Sequence, residues 1–287
     1  MIAVLRGRTS VQIGGHRRMP AAIMGCMGRP EWSPDVSAGD WIAAHLVRLD
    51  GTVGQHVPAV FDAYARVLHP PHTPTGEQGT WAQVCAATGT TAHPLMQWLT
   101  ISRTQDVPTG DGAFTSRSAW SGSPPDTGNL APGPLAVLLD VLGETTGDQR
   151  CVFALWEGLG WVDCRGAWFR RTAADGTVIE EGEPPSAFPL EVLDGPRLAL
   201  PGRSYLLFTG PLTDATQLDP RGLWSQSPNL FWPRDHSWCV ATDVDFDSTL
   251  IGGPRPLIDA VLASPVLEAW PVAPQDSLAR DADTVNR

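Results

Sequence analysis

The spacing of apolar residues changes along this chain, and the change predicts its elements. In the first half the apolar residues fall mostly at helical spacing. Trp41, Ile42, His45, Leu46 and Leu49 mark one side of a segment 37–49, and Ser37 is placed to cap it. Thr80 is positioned as the N-cap of a helix through residue 87 that turns Trp81, Val84 and Cys85 inward, with Gly89 just past its end. Residues 134–142 are apolar almost all round, as a buried helix would be. Residues 94–101 suit a helix or a strand. One strand interrupts this part, at 57–69. There Phe61, Ala63, Ala65 and Val67 alternate with Asp62, Tyr64, Arg66 and Leu68 until Pro70-Pro71 ends the run.

From residue 150 the pattern turns to β. Residues 150–157 read as a strand, 158–160 as a turn and 161–163 as its return. Residues 198–209 read as a hairpin turning at Pro201-Gly202, and 213–218 as a short helix. The longest alternation is 238–247. Trp238, Val240, Thr242, Val244 and Phe246 share one face; Cys239, Ala241, Asp243, Asp245 and Asp247 share the other. Such a strand lays an apolar face on a core and ends with three carboxylates in a row, stopped by Gly252-Gly253 and Pro254. A short helix at 257–262 and a last apolar run at 266–271 follow.

No segment repeats at a fixed period. Hairpins and short helices join the strands, without regular βαβ crossovers, so the expected class is α+β with a mostly antiparallel sheet and short helices. The expectation is a single compact unit over 31–273, helical in its N-terminal part and β-rich in its C-terminal part. Residues 102–130, rich in Gly, Ser, Thr and Pro, read as an internal linker. Residues 274–287 read as a polar tail, and 1–30 as disordered or translated from upstream of the true start.

Charge narrows the partners. Formal net charge is −11, and the first 30 residues hold five arginines and no acid, so the remainder is about −16. A body that acidic argues against nucleic acid and against anionic membrane surfaces as partners. No stretch reaches the roughly 18 apolar residues of a membrane span. All 20 basic side chains are arginine. Without lysine the chain has no Schiff-base, Walker-type or kinase lysine. Five scattered cysteines suit reduced thiols and a cytoplasmic location.

The chemistry-bearing positions cluster around 232–247. Asp245-Phe-Asp-Ser-Thr249 resembles the DxDxT motif of haloacid dehalogenase phosphatases, whose first Asp is the nucleophile and second the general acid. The downstream lysine that family needs has no counterpart here, so the resemblance carries little. A solvated strand face is the simpler reading of the row, and a divalent cation held between Asp243, Asp245 and Asp247 the sharper one. Just before it, Trp232, Arg234, Asp235, His236 and Trp238 combine aromatic area with a cation, a carboxylate and an imidazole, and His236 beside Asp235 has the makings of an oriented base. His69-Pro-Pro-His72 has HxxH spacing without third and fourth ligands nearby, which reads as two loop histidines; no metal or other cofactor is expected.

Several phrases carry a family likeness. They are Tyr64-Ala-Arg-Val-Leu-His-Pro70, Phe153-Ala-Leu-Trp-Glu-Gly158, Tyr205-Leu-Leu-Phe-Thr-Gly-Pro211, the 227–253 stretch and Leu267-Glu-Ala-Trp-Pro-Val272. These are similar to a family of hypothetical proteins from actinobacteria, over roughly 31–273. The resemblance implies a cytoplasmic protein beginning near residues 27–31 and brings no activity with it. The reading at this level is a non-catalytic binding or protein-interaction module, using the Trp-rich loop and the acidic strand face to hold a protein or small molecule. A metal-assisted hydrolase built on Asp243, Asp245, Asp247 and His236 is the alternative.

Overall fold

The computed structural model describes residues 2–6, 9–13, 28–108, 114–164, 168–172, 177–182 and 186–287. In chain order the first elements are β1 (Ile2–Arg6), β2 (Thr9–Ile13), β3 (Glu31–Ser33), α1 (Asp40–Ala43), β4 (Ala63–Leu68), α2 (Trp81–Thr88), α3 (Trp98–Ile101), β5 (Gln105–Pro108) and β6 (Phe114–Arg117). The next are α4 (Pro132–Thr146), β7 (Arg150–Trp156), β8 (Trp168–Thr172), β9 (Val178–Gly182), α5 (Leu190–Leu193), β10 (Leu198–Leu200) and β11 (Arg203–Pro211). The chain closes with β12 (Leu230–Pro233), β13 (Cys239–Ala241), β14 (Ser248–Gly253), α6 (Arg255–Leu262) and β15 (Ala269–Val272).

The fold is α+β, built on a nine-stranded sheet in the order β10-β11-β7-β12-β13-β14-β4-β15, with β3 also paired to β11. Every pairing in it is antiparallel. The sheet is covered on both faces. Ala65, Phe153, Phe208, Phe231 and Val240 point to one core, shared with Leu138 of α4 and Val261 of α6. Their neighbours Tyr64, Ala154, Leu207, Trp232 and Cys239 point to a second, closed by Ile42, Leu46, Val53 and Val57. Strands buried on both sides read as continuous apolar runs, which is why 150–157 and 203–209 are legible as strands.

Local signals place several helices. Thr80 and Gln83 form a reciprocal capping box at the start of α2, and Gly89 ends it with φ of 69°. The Glu268 carboxylate adds bonds from Trp81 N at 2.6 Å and Ala82 N at 2.8 Å. Pro132 opens α4, where its missing N–H costs nothing.

Other expectations are corrected. The helix at 37–49 is helical only through Ala43, and Asp35, not Ser37, supplies the side-chain bond at its start. The return strand at 161–163 is a turn that buries Trp161 and Val162 in the core. The proposed helical and β-rich parts are interleaved, because β4 lies between β14 and β15. The linker 102–130 contains the β5–β6 hairpin and is anchored by the Trp120 Nε1 bond to His72 O and by buried Leu130; residues 109–113 lie outside the described residues. Residues 274–287 are not a free tail: Leu278 is buried, and Asp283 is 2% exposed and bonded to His93, Gln97 and Asn286. In the N-terminal region β1 pairs with β2 and β8; the remainder of 1–27 lies outside the described residues.

Candidate functional site

The 238–247 alternation does not make one strand. β13 ends at Ala241, and residues 242–247 turn the chain into β14. The Asp243 carboxylate accepts from Asp245 N at 3.0 Å, and Phe246 N donates to Asp243 O at 3.0 Å. Aspartates at alternate positions satisfy a strand pattern, yet they also bond their own backbone two residues on, and here the turn wins. Thr242 and Thr249 join their hydroxyls across its base at 2.8 Å. Gly252 and Gly253 do not stop a strand; they lie within β14, opposite Tyr64 and Ala63.

The acidic row is therefore an acidic loop, and its members look in different directions. Asp247 meets the buried Arg66 guanidinium at 3.4 Å. Burial raises the Asp247 pKa while Arg66 pulls it back. Arg66 also donates to Ser248 Oγ and to the carbonyls of Pro94 and Met96. Asp245 and Asp243 share Arg203, at 2.6 and 3.4 Å. Guanidinium groups of the chain itself stand where the alternative reading would put a divalent cation.

The preceding loop separates from this one. Trp232 and Trp238 are wholly buried, in the cores on opposite faces of the sheet, and Trp238 Nε1 donates to Thr146 Oγ1. Arg234, Asp235 and His236 form an exposed turn at the other end of β13 from the acidic loop. Asp235 accepts from Gln149 Nε2 at 2.8 Å and Ser237 N at 3.0 Å, so it does not orient its neighbour. His236 has φ of 58° and stacks on Trp41, with ring centroids 4.4 Å apart. Partial burial lowers the His236 pKa against the pull of Asp235. The eight candidate residues thus divide into core, turn and loop; the turn and the loop stand at opposite ends of the three-residue β13.

Only Asp243 and Asp245 join a site, and its other members come from elsewhere. A cleft with a cavity of about 20 Å³ opens between the irregular segment 46–57, the β10–β11 hairpin and the acidic loop. Arg48, Gln55, His56, Arg203, Tyr205, Asn229 and Asp243 supply its polar lining, and Leu49 and Leu200 part of its apolar rim. His56 is 6% exposed, and its Nδ1 lies 3.6 Å from Asp243 Oδ2. The His56 ring also packs against Phe246 at 4.5 Å. Burial lowers the His56 pKa, with Asp243 opposing. Burial works against the Arg203 charge too, but its two carboxylates outweigh it and raise its pKa. The guanidinium also lies over the Trp156 ring at 5.4 Å. Burial raises the Tyr205 pKa, and the Asp243 charge adds to it.

Two polar atoms of this cluster, His56 Nε2 and Arg203 Nε, are buried with no hydrogen-bond partner among the described residues. Leaving such an atom unmatched costs on the order of 1–3 kcal/mol. Neither residue belongs to a motif. Arg203 follows the hairpin turn read at Pro201-Gly202, and that turn was the one signal available; His56 stands in a short irregular stretch with no periodic context.

His69 is a structural residue. Its Nδ1 donates to Asp126 O at 2.6 Å and its Nε2 accepts from Thr249 Oγ1 at 3.0 Å, so both ring nitrogens are used inside the chain. Among the described residues no group of three His, Cys, Asp or Glu is arranged to hold a metal ion, and no helix is long and apolar enough to cross a membrane. Comparison with family models, with curated proteins and with solved structures finds no match for the chain.

Proposed function

We propose that this protein is a non-catalytic binding module that recognises a partner at the His56–Arg203–Asp243 cleft. The observation that carries the reading is a mismatch. The carboxylates of the acidic loop have guanidinium partners, while His56 Nε2 and Arg203 Nε, beside an open cleft, have none. Exposed Val47 and Leu49, 67% and 44% accessible, flank it and offer apolar contact area to a protein partner. Arg234 and His236 form a separate exposed turn outside this site. The four cysteines among the described residues are buried free thiols, which supports a reducing, cytoplasmic setting. The family likeness to actinobacterial hypothetical proteins belongs to the same proposal. Metal-assisted hydrolysis is the weaker reading, because the acidic loop is neutralised from within.

A ligand-free experiment tests this. A buried polar cluster kept for binding is replaceable by apolar groups without loss of stability, and such replacements often gain about 1–4 kcal/mol. The triple variant His56→Leu, Arg203→Met, Asp243→Asn removes the cluster while keeping the side-chain oxygen that accepts from Asp245 N. Its melting temperature is expected at or above the wild-type value. A drop of more than about 5 °C, over 2 kcal/mol for a chain of this size, would assign the cluster to the fold instead.

A further inference from the structure

We propose that the cleft takes a neutral carboxamide, the group that ends a glutamine or asparagine side chain of a partner protein. This rests on the binding reading above and names the chemistry of that site. The Asp243 carboxylate lies beside His56 Nδ1, at 3.6 Å, and favours the ring proton on that nitrogen. Nε2 is then a lone-pair acceptor. Arg203 uses Nη2 on Asp243 and Asp245, which leaves Nε–H as a donor. The cleft therefore offers one buried acceptor and one buried donor, both unmatched.

Three side-chain ends of similar size can be weighed against that pair. A carboxylate accepts from Arg203 but sets an oxygen against the lone pair of His56 Nε2, next to Asp243 and Asp245. An ammonium donates to His56 but gives Arg203 Nε–H nothing to bond and brings a second cation beside the guanidinium. A carboxamide answers both: its carbonyl accepts from Arg203 and its NH₂ donates to His56. It also carries no charge, so its burial incurs no ionic desolvation cost. Leu49, Leu200 and Pro201 line the cleft and offer apolar contact to a methylene stem.

The test is an NMR titration of the full chain, reading the His56 ring and Arg203 Nε–H signals. The probes are N-acetyl, C-methylamide derivatives of glutamine, glutamate and lysine. The glutamine derivative is expected to shift both signals, with a dissociation constant on the order of millimolar for so small a ligand. His56→Leu and, separately, Arg203→Lys, which keeps the charge but lacks Nε–H, should each weaken it roughly five- to tenfold, the loss of one hydrogen bond. Glutamine binding that both variants leave unchanged would overturn the assigned contacts. Preferential binding of the glutamate or lysine derivative at these signals would overturn the carboxamide and leave the binding cleft standing. If none of the three moves either signal, the cleft holds water only, and the carboxamide and the binding reading fall together.

Discussion

At the scale of single residues, buried polar groups set how the chain responds to pH and to charge removal. His69 is enclosed by Asp126 O and Thr249, and burial pushes its pKa down to about 4 from 6.5. Between those values the unfolded chain binds the proton and the folded chain does not. The stability owed to neutral His69 is thus complete above 6.5 and falls as the pH drops to about 4, by about 3 kcal/mol. Denaturant unfolding across this range should show a shallower pH slope for His69→Gln than for wild type; equal slopes would mean that His69 titrates normally in the fold. Arginine partners sort the acidic loop in the same way. Asp245 is 77% exposed, so Asp245→Asn should cost less than about 1 kcal/mol. Asp247→Ala strands the buried Arg66 and should cost about 3–5 kcal/mol. Similar losses for the two would contradict the assignment of partners. Asp243 and Asp245 were visible in the sequence as members of a site. Arg203 and His56 were not, since what selects them is an unmatched atom beside a cleft, and an unmatched atom leaves no pattern along a chain.

At the scale of elements, the β13–β14 hairpin shows where pattern reading stops. The alternation through Asp247 and the expected glycine stop were both consistent with one long strand. The aspartate self-bonding that turns the chain at 243–247 competes locally with the strand pattern, and the pairing of Gly252 opposite Tyr64 is decided by a contact distant in sequence. The capping box at Thr80 was legible because cap and partner stand three residues apart. Gly252 in particular is there for space. A Cβ at that position would stand 2.6 Å from Phe61 Cδ2 and 2.8 Å from Val57 Cγ1. Gly252→Ala should therefore destabilise by about 1–3 kcal/mol. Gly133, near the start of α4, has nothing within 4 Å of such a Cβ, and Gly133→Ala should be neutral or stabilising by up to about 1 kcal/mol. A thermal melt in which Gly252→Ala matches or exceeds wild type would show that β14 packs more loosely there.

At the scale of the whole molecule, a nine-stranded sheet covered on both faces absorbs most of the aromatic residues that drew notice in the sequence. Trp81, Trp232 and Trp238 are among the largest fully buried side chains. What remains at the surface near the acidic loop is a cleft whose charges are already paired, and that pairing is what the proposed binding reading rests on against a cation-dependent enzyme. Thermal melts of wild type and Asp245→Asn, with and without magnesium or calcium at about 5 mM, read this difference most directly. A cation held with a dissociation constant of about 50 µM would add about 2.7 kcal/mol, or roughly 5 °C. With Arg203 and Arg66 in that role, the melting temperatures of both proteins should stay within about 1 °C on adding either metal. A wild-type melt raised by several degrees, with Asp245→Asn unresponsive, would place a cation in the acidic loop and contradict the non-catalytic reading.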